Sequence, residues 1–192
     1  NGVLLGYPDA NGIACDIGGG SLELADIQDG HVKTCCTGLL GSLFLSDFEG
    51  SECELDKLIT KSISNLKANF VGSREIIYFV GGSCRAFARI DMLKSSYPLK
   101  VLHEYKISAE QMVSTAYWIM NSSVSTLSSM VDTSVERLSL LPLTCRVLIQ
   151  VIRSFEPKEV YFSSYGLREG ILYDQMPETV RNLNPLIEAC RY

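Results

Sequence analysis

The chain contains 192 residues, of which 46% are hydrophobic and 20% charged, and its 17 basic and 22 acidic side chains give a net charge of −5. This hydrophobic content excludes an intrinsically disordered chain, and the acidic balance argues against a general nucleic-acid-binding protein. No apolar run reaches the roughly 18 residues of a membrane span, so no membrane-spanning segment is expected.

The first part of the chain is predicted to form three short strands and one helix. Apolar runs separated by glycines predict strands over residues 12–17, 21–27 and 31–37. The Gln-Asp-Gly sequence at 28–30 is typical of a hairpin turn between the second and third strands. Apolar residues then recur every three or four positions over 51–71, which predicts an amphipathic helix.

The second part alternates between predicted strands and helices. Strands are predicted over residues 75–80, 102–106 and 159–163, and helices over 108–120, 142–155 and 167–176. Ser108 and Gln111 form a capping-box pattern, and Pro142 suits the first turn of a helix. The Ser- and Thr-rich stretch 121–132 is interpreted as a loop or a frayed helix end. Together these elements predict an α/β domain with a mixed sheet flanked by helices.

The strongest functional signal is Asp16-Ile17-Gly18-Gly19-Gly20-Ser21-Leu22-Glu23. Glycines permit positive φ and let backbone N–H groups approach an anion without a Cβ atom in the way. Asp16 ends a strand, where its carboxylate can hold Mg²⁺, and Ser21 and Glu23 share one face of the next strand. Three glycines exceed the need of a tight turn, so a metal–phosphate site is favoured over a plain hairpin.

Two further predicted strands also run into glycines. These segments are Val80-Gly81-Gly82-Ser83-Cys84-Arg85 and Ser164-Tyr165-Gly166-Leu167-Arg168-Glu169-Gly170. Each segment alone is as consistent with a structural turn, although Arg85 suits a phosphate, and Arg168 and Glu169 fit a solvated first helical turn. In open α/β sheets, ligands gather at strand ends, so three such loops together indicate one ligand site.

These three segments resemble motifs of the exopolyphosphatase/guanosine pentaphosphate phosphatase (Ppx/GppA) family. Residues 16–23 look like its DIGGGSTE box, residues 81–88 resemble its Gly-Gly-Thr-x-Arg-Ala-x-Ala segment, and residues 165–173 are similar to its SGLREGxLY segment. The segments follow the family order, and the similarity covers residues 12–176. Two residues depart from the pattern, because Leu22 and Ser83 each stand where the family usually has Thr.

The resemblance implies a ribonuclease H-like fold of the actin, sugar-kinase and chaperone superfamily, with residues 1–192 as the second of two such subdomains. The chain then reads as a fragment that lacks the first subdomain and a C-terminal region, as its start without Met also indicates. The family's water-activating glutamate precedes the DIGGGSTE aspartate, yet residues 1–15 contain no Glu. That general base is therefore expected upstream, and the fragment alone is expected to be inactive.

The resemblance also assigns roles to individual residues. It implies that Asp16 and Glu23 help to hold Mg²⁺, with Glu23 as the catalytic residue within this chain. The phosphate-binding residues that it implies are Gly18, Gly19, Gly20, Ser21, Gly81, Gly82 and Ser83. The roles of Arg85, Arg168 and Glu169 stay open.

For the intact protein, the resemblance implies hydrolysis of terminal phosphate from inorganic polyphosphate by Mg²⁺ and an activated water. One alternative is a guanosine pentaphosphate phosphatase. A second is a superfamily kinase or chaperone-type ATPase, which the Leu-Arg-Glu-Gly segment disfavours. A third is a noncatalytic nucleotide or polyphosphate sensor without the upstream Glu. Formation of a homodimer is left open.

The seven cysteines do not indicate a disulfide framework or a zinc site. Their number is odd, no Cys-x-x-Cys pair occurs, and only His31 and His103 are available as imidazole ligands. The cysteines are interpreted as free, mostly buried thiols in a reducing compartment, so a cytoplasmic protein is expected. Both histidines lie outside the glycine loops and are interpreted as solvent-facing or hydrogen-bonded bystanders.

Overall fold

A six-stranded mixed sheet forms the centre of the computed structural model, which describes residues 1–181 and 183–190. The strands are β1 (Gly12–Ile17), β2 (Leu22–Gln28), β3 (His31–Gly38), β4 (Ile76–Val80), β5 (Tyr105–Ser108) and β6 (Glu159–Phe162). Their order is β3-β2-β1-β4-β6-β5. The predicted α/β fold with a mixed sheet is confirmed.

Strands β1, β4 and β6 are parallel, whereas β2, β3 and β5 pair antiparallel with their neighbours. Because parallel strands end at the same edge of a sheet, the three glycine loops that follow β1, β4 and β6 come together there. The sheet itself therefore assembles the residues that the sequence analysis selected.

Helices cover both faces of the sheet. They are α1 (Gly2–Gly6), α2 (Ser42–Ser46), α3 (Glu52–Lys67), α4 (Gly82–Lys94), α5 (Ala109–Met120), α6 (Val124–Met130), α7 (Val135–Phe155), α8 (Leu167–Gln175), α9 (Glu178–Arg181) and α10 (Pro185–Ala189). The larger hydrophobic core joins one face of the sheet to α3, α4, α5 and α7. A smaller cluster on the other face lies beneath α1, and α8 packs against that helix.

Side-chain alternation along β1 decides what each face carries. Ile13, Cys15 and Ile17 are buried in the larger core, so Ala14 and Asp16 point to the opposite face, towards α1. The fold thus places the Asp16 carboxylate on the side of the sheet that has the smaller apolar core.

Side-chain caps begin two of the helices. The Ser108 side chain accepts a hydrogen bond from the Gln111 N–H at α5, where the sequence predicted a cap. Ser51 and Glu54 form a reciprocal capping box at α3, which was not predicted. Helix α3 ends at Lys67, four residues before the predicted end. Strand β5 begins three residues later than predicted, because Glu104 adopts a positive φ that ends the preceding turn.

Helix α7 corrects the predicted start at Pro142. Ser134 is its N-cap and accepts a hydrogen bond from the Arg137 N–H, so Pro142 lies inside the helix. A proline within a helix removes one backbone hydrogen bond, and burial of Leu138, Leu141 and Cys145 around it offsets that loss. By length and composition α7 could cross a membrane, but its apolar residues pack within the larger core.

Five other helices were not predicted from the sequence. They are α1, α2, α4, α9 and α10, and the stretch that was read as a loop or frayed end contains α6. Most of them are too short to show a helical period. The exception is α4, a 13-residue helix with seven buried residues. It was not predicted because its start at a Gly-Gly pair was interpreted as a loop.

Asp91, in α4, is a buried carboxylate that ties this helix to its neighbours. It is 1% exposed and accepts hydrogen bonds from the Tyr105 hydroxyl (2.5 Å), the Gln111 side-chain amide (2.8 Å) and the Thr115 hydroxyl. These three donors lie on or beside β5 and α5. The far half of α4 is therefore fixed by polar contacts as well as by packing.

A second buried polar contact lies at the β-bulge of β2. Asp26 accepts two hydrogen bonds from Arg74, at 2.8 and 2.9 Å, and a third from Gln28 at 2.8 Å. Burial alone would raise the pKa of Asp26, but these hydrogen bonds and the Arg74 charge outweigh it and hold that pKa below its ordinary value. The pair joins β2 to the loop that precedes β4.

All seven cysteines are free thiols, as predicted. Their burial is only partly as expected, since Cys15, Cys84 and Cys145 are buried, whereas Cys35, Cys53 and Cys190 are exposed and Cys36 is half-buried. Burial raises the pKa of the Cys15, Cys84 and Cys145 thiols, which keeps them protonated.

Candidate active site

Asp16 and Glu23 are direct partners across the antiparallel pair β1–β2. Asp16 is half-buried and Glu23 is exposed, and the Ser21 hydroxyl donates a hydrogen bond to Oε1 of Glu23. Leu22, between them, is fully buried in the larger core. The turn therefore presents two carboxylates and one hydroxyl on one face, and the departure at Leu22 points away from them.

The surroundings of Asp16 make its ionised form less favourable than it is in water. Burial raises the pKa of Asp16, and the nearby charge of Glu23 raises it further, while Arg85 opposes both effects. A bound cation would reverse this balance, because it stabilises the ionised carboxylate.

The two carboxylates fit one particular kind of metal ion. Within the part of the chain that the structure describes, no three His, Cys, Asp or Glu side chains converge into a metal cage. Mg²⁺ typically takes one or two carboxylates and fills its other positions with waters and substrate phosphate oxygens. Asp16 and Glu23 therefore fit Mg²⁺ that is shared with a phosphorylated ligand.

The first glycine loop is held by backbone hydrogen bonds. The Gly18 N–H donates to the Ser21 carbonyl (2.9 Å), and the Gly19 carbonyl accepts from the N–H groups of Leu43 (2.8 Å) and Phe44 (3.1 Å) at the start of α2. These contacts fix the turn against α2.

Gly18, Gly19 and Gly20 do not adopt the positive φ that glycine permits. A Cβ atom on Gly19 would lie 2.7 Å from Cδ1 of Leu43, an exposed side chain that can move aside. Gly20 has no atom within 4 Å of such a position, and Gly18 has only a carbonyl oxygen at 3.8 Å. The space above these two glycines is open to a ligand.

The second glycine loop is the beginning of a helix. Gly81 is the N-cap of α4 with φ of 97°, and Gly82 and Ser83 are the first two helical residues. A Cβ atom on Gly81 would lie 2.6 Å from Oδ1 of Asp16. The free N–H groups and the positive dipole end of α4 thus lie at the sheet edge beside Asp16.

The first two loops line one cavity of about 340 Å³, here called the loop cavity. Gly18 and Gly19 lie on one side, and Gly82 and Ser83 on the other. The cavity also receives Arg137, whose Cζ lies 3.0 Å from the place of a Cβ atom on Gly82. Gly20, Ser21 and Gly81, which were predicted to bind phosphate as well, lie outside its lining.

Arg137 was missed from the sequence. A cation in the first turn of a helix opposes the helix dipole, which is a signal of a special role. The predicted helix began at Pro142, seven residues after the observed start at Val135, so Arg137 was not recognised as part of the first turn.

The third loop borders a separate cavity of about 370 Å³, here called the arginine cavity. Its lining includes Asp16, Gly81, Arg85, Ser164, Gly166, Arg168 and Glu169. Glu169 accepts a hydrogen bond from the Gly166 N–H (2.7 Å) and so caps α8. This hydrogen bond is the main reason that the pKa of Glu169 is lowered, and the charges of Arg85 and Arg168 lower it further.

A third cavity, the apolar cavity, has a volume of about 550 Å³ on the α1 face. Its polar lining residues include Asp16, Glu23, Asn1 and Asp174, while Ala14, Val80 and Ile171 are among its apolar walls. Asp16 therefore lies where the arginine cavity and the apolar cavity meet.

His103 is more than the bystander that was predicted. Its ring packs between Tyr7 and Tyr165, with centroid distances of 4.9 and 4.7 Å, and against Gly6. Burial lowers the pKa of His103 and favours its neutral ring. His103 thus packs against Tyr165 of the third loop. His31, by contrast, is exposed, and its Nδ1 lies 2.7 Å from the Asp29 carbonyl oxygen.

The strand order and the three loops at one sheet edge define a ribonuclease H-like fold of the actin type. The chain belongs to the Ppx/GppA phosphatase family, whose model matches residues 1–179. No curated protein matches the chain.

Solved structures share this fold at low sequence identity. A Ppx/GppA phosphatase from Aquifex aeolicus superposes with a TM-score of 0.75 at 18% identity, covering 92% of this chain and 61% of its own. An exopolyphosphatase from Cytophaga hutchinsonii gives 0.77 at 17% identity, covering 90% and 59%. An exopolyphosphatase-like protein gives 0.73 at 17% identity, covering 85% and 57%. The chain spans about three fifths of the length of these structures.

Proposed function

We propose that the protein removes terminal phosphate groups from inorganic polyphosphate by attack of water on the end phosphorus. The observation that carries this proposal is the meeting of two glycine loops and Arg137 in the loop cavity. Helical N–H groups, the Ser83 hydroxyl and a guanidinium are the donors that hold a tetrahedral phosphate.

In this mechanism each group has a separate task. Gly18 leaves room for the terminal phosphate, while the N–H groups at the start of α4 and Arg137 stabilise charge on its equatorial oxygens. Asp16 and Glu23 would hold Mg²⁺, which when bound neutralises charge on the phosphate chain. The Ser21 hydroxyl orients the Glu23 carboxylate through its hydrogen bond.

We propose that a further domain completes the site. The chain spans about three fifths of the solved relatives, and residues 1–15 contain no Glu. By the family resemblance, residues 1–192 act as the second subdomain, and the water-activating glutamate comes from another part of a longer protein. Seven free thiols agree with a cytoplasmic location for this protein.

One observation favours guanosine pentaphosphate as the substrate instead. The apolar cavity lies beside Asp16 and Glu23, and inorganic polyphosphate has no apolar group to fill it. Ligand pockets for nucleosides combine apolar walls with a few polar groups. A preference for the nucleotide would therefore place its nucleoside portion against Ala14, Val80 and Ile171.

The experiment compares phosphate release by the complete protein from long-chain polyphosphate and from guanosine pentaphosphate in the presence of Mg²⁺. Arg137→Gln is expected to lower kcat by about 100-fold, because it removes one charge-stabilising donor. Arg89→Gln makes the same change at an exposed arginine of α4; it is the control and should retain activity.

Faster release from polyphosphate supports the proposal, and faster release from the nucleotide supports the alternative. Release from neither substrate contradicts both and leaves a noncatalytic sensor. Unchanged turnover in Arg137→Gln would remove the loop cavity from the mechanism.

A further inference from the structure

The His103 ring lies in a closed cage where three segments meet. It packs between Tyr7, the C-cap residue of α1, and Tyr165 of the third loop, with centroid distances of 4.9 and 4.7 Å. Gly6 closes another side, because a Cβ atom there would lie 2.3 Å from the His103 Cε1 and 2.9 Å from the Tyr165 Cδ2. The cage therefore exists only while α1, the turn before β5 and the third loop stay together.

The cage gives the His103 ring little polar compensation. Both ring nitrogens are shielded from solvent, and neither makes a well-formed hydrogen bond to residues 1–181 or 183–190. A buried polar group without a partner costs free energy, and a buried charge without a partner costs more. A protonated ring is therefore more stable outside the cage, where water can solvate it.

The groups that face the ring do not reverse this preference. The Glu104 charge, on the same turn, and the Gly6 carbonyl favour a protonated ring, but burial outweighs both and lowers the pKa of His103. The facing groups on α1 and the third loop are the phenols of Tyr7 and Tyr165, and phenols carry no charge near neutral pH. Burial raises the pKa of Tyr7 further, so that its hydroxyl stays protonated.

Hydrogen bonds extend the cage to neighbouring elements. The Glu104 N–H donates to the Tyr7 hydroxyl (3.0 Å), which in turn donates to the Phe162 carbonyl at the end of β6 (3.3 Å). The third loop continues from the cage to Gly166, which lines both the arginine cavity and the apolar cavity. Release of the ring would therefore separate α1 from β6 and change the walls of both cavities.

We propose that His103 is a pH-sensitive switch, whose protonation opens the cage and releases the third loop from α1. Outside the cage the ring has its ordinary pKa of about 6.5, whereas inside the cage its pKa is lower. The closed state thus has its full stability above about pH 6.5 and loses stability as the pH falls from there to the pKa of the caged ring. The inference does not depend on the proposed function, because it concerns the loop and not its ligand.

The test is hydrogen–deuterium exchange of the complete protein, measured by mass spectrometry at pH 7.5, 6.5 and 5.5. Each exchange rate is divided by that of an unstructured chain at the same pH, which gives a protection factor. Protection of residues 103–105 and 164–167 should be about five to ten times lower at pH 5.5 than at pH 7.5. Protection within the buried part of α7 should not change.

Three variants separate the switch from other effects of acid. His103→Phe keeps a ring in the cage but cannot be protonated, so it should abolish the pH dependence. His31→Gln is the matched control at the exposed histidine and should behave like the wild type. Glu104→Gln keeps the His103 ring and the backbone N–H but removes the charge that favours a protonated ring inside the cage. Its loss of protection at pH 5.5 should therefore exceed that of the wild type.

The same pH dependence in the wild type and in His103→Phe would overturn the switch. An equal loss of protection along α7 would also overturn it, because the whole domain would then be opening. If His103→Phe does not fold, Glu104→Gln and His31→Gln decide the matter. A loss of protection in Glu104→Gln that is no larger than in the wild type and in His31→Gln would contradict the proposal.

Discussion

Gly81 and Asp16 approach each other so closely that a Cβ atom on the glycine would lie 2.6 Å from the aspartate Oδ1. Gly81 also adopts a φ of 97°, a conformation that side chains with a Cβ atom rarely accept. The residue is therefore needed for two independent reasons, and both concern the junction between β4 and α4.

Gly81→Ala should destabilise the fold and displace the Asp16 carboxylate. We expect a loss of about 2 kcal/mol in the free energy of unfolding from the strained φ and the steric contact together. Gly20→Ala is the control, because Gly20 has no positive φ and no atom near its missing Cβ. Urea unfolding of both variants measures the difference, and an equal effect would contradict this explanation.

Asp16→Asn should abolish most of the phosphate release. The substitution removes one of the two carboxylates that fit Mg²⁺, and loss of this kind of charge stabilisation costs about 100- to 1000-fold in kcat. Asp9→Asn makes the same chemical change at an exposed position and should leave turnover intact. Mg²⁺-dependent turnover near the wild-type rate in Asp16→Asn would rule out its assigned role.

The Asp26–Arg74 pair should make stability depend on pH in the acid range. Because the folded-state pKa of Asp26 lies below the unfolded value of about 3.9, the ionised carboxylate stabilises the fold above that pH. This contribution is lost as the pH falls through the folded-state pKa.

Asp26→Asn should therefore cost about 3 kcal/mol at pH 7, because it leaves the largely buried Arg74 without a counter-charge. The difference from the wild type should shrink below about pH 4. Chemical unfolding at pH 7 and pH 3 measures both values. A difference that is constant over this range would show that the ionised pair is not its cause.

Asp91→Ala should weaken the attachment of α4 to β5 and α5. The change leaves the donors of Tyr105, Gln111 and Thr115 without their acceptor, at a cost of about 3 kcal/mol for the group. Asp132→Ala removes a carboxylate from an exposed position and should cost less than about 0.5 kcal/mol. Similar unfolding midpoints for the two variants would contradict the role given to Asp91.

Much of the sheet could be predicted because local patterns decide it. Alternation along β1 and β2 and the Asp29-Gly30 turn are local signals, and they place Asp16 and Glu23 on one face. The three strands that run into glycines likewise indicated that their loops meet at one edge of the sheet.

The remaining parts depend on contacts between distant segments. Arg137 joins the site only because α7 starts at Val135 and packs beside α4, which the position of Pro142 concealed. The loop cavity is separate from the arginine cavity because α4 starts at Gly82. The sequence did not predict this start, because a Gly-Gly pair is typical of a loop. The support that His103 gives to Tyr165 arises across 62 residues of sequence, beyond any local signal.

Helix α4 joins the loop cavity, at its first residue, to the buried carboxylate of Asp91. Gly82 borders the loop cavity, and Asp91 lies nine residues further on, roughly 14 Å away at about 1.5 Å per residue. If α4 tilts as a rigid body by roughly 5° about Asp91, its first turn moves by about 1 Å. A displacement of that size can change a catalytic rate by about 100-fold. Gln111 and Thr115 of α5 hold Asp91 by hydrogen bonds, so the position of α5 affects the position of the α4 start. Substitutions in α5, remote from the loop cavity, can therefore change the shape of that cavity.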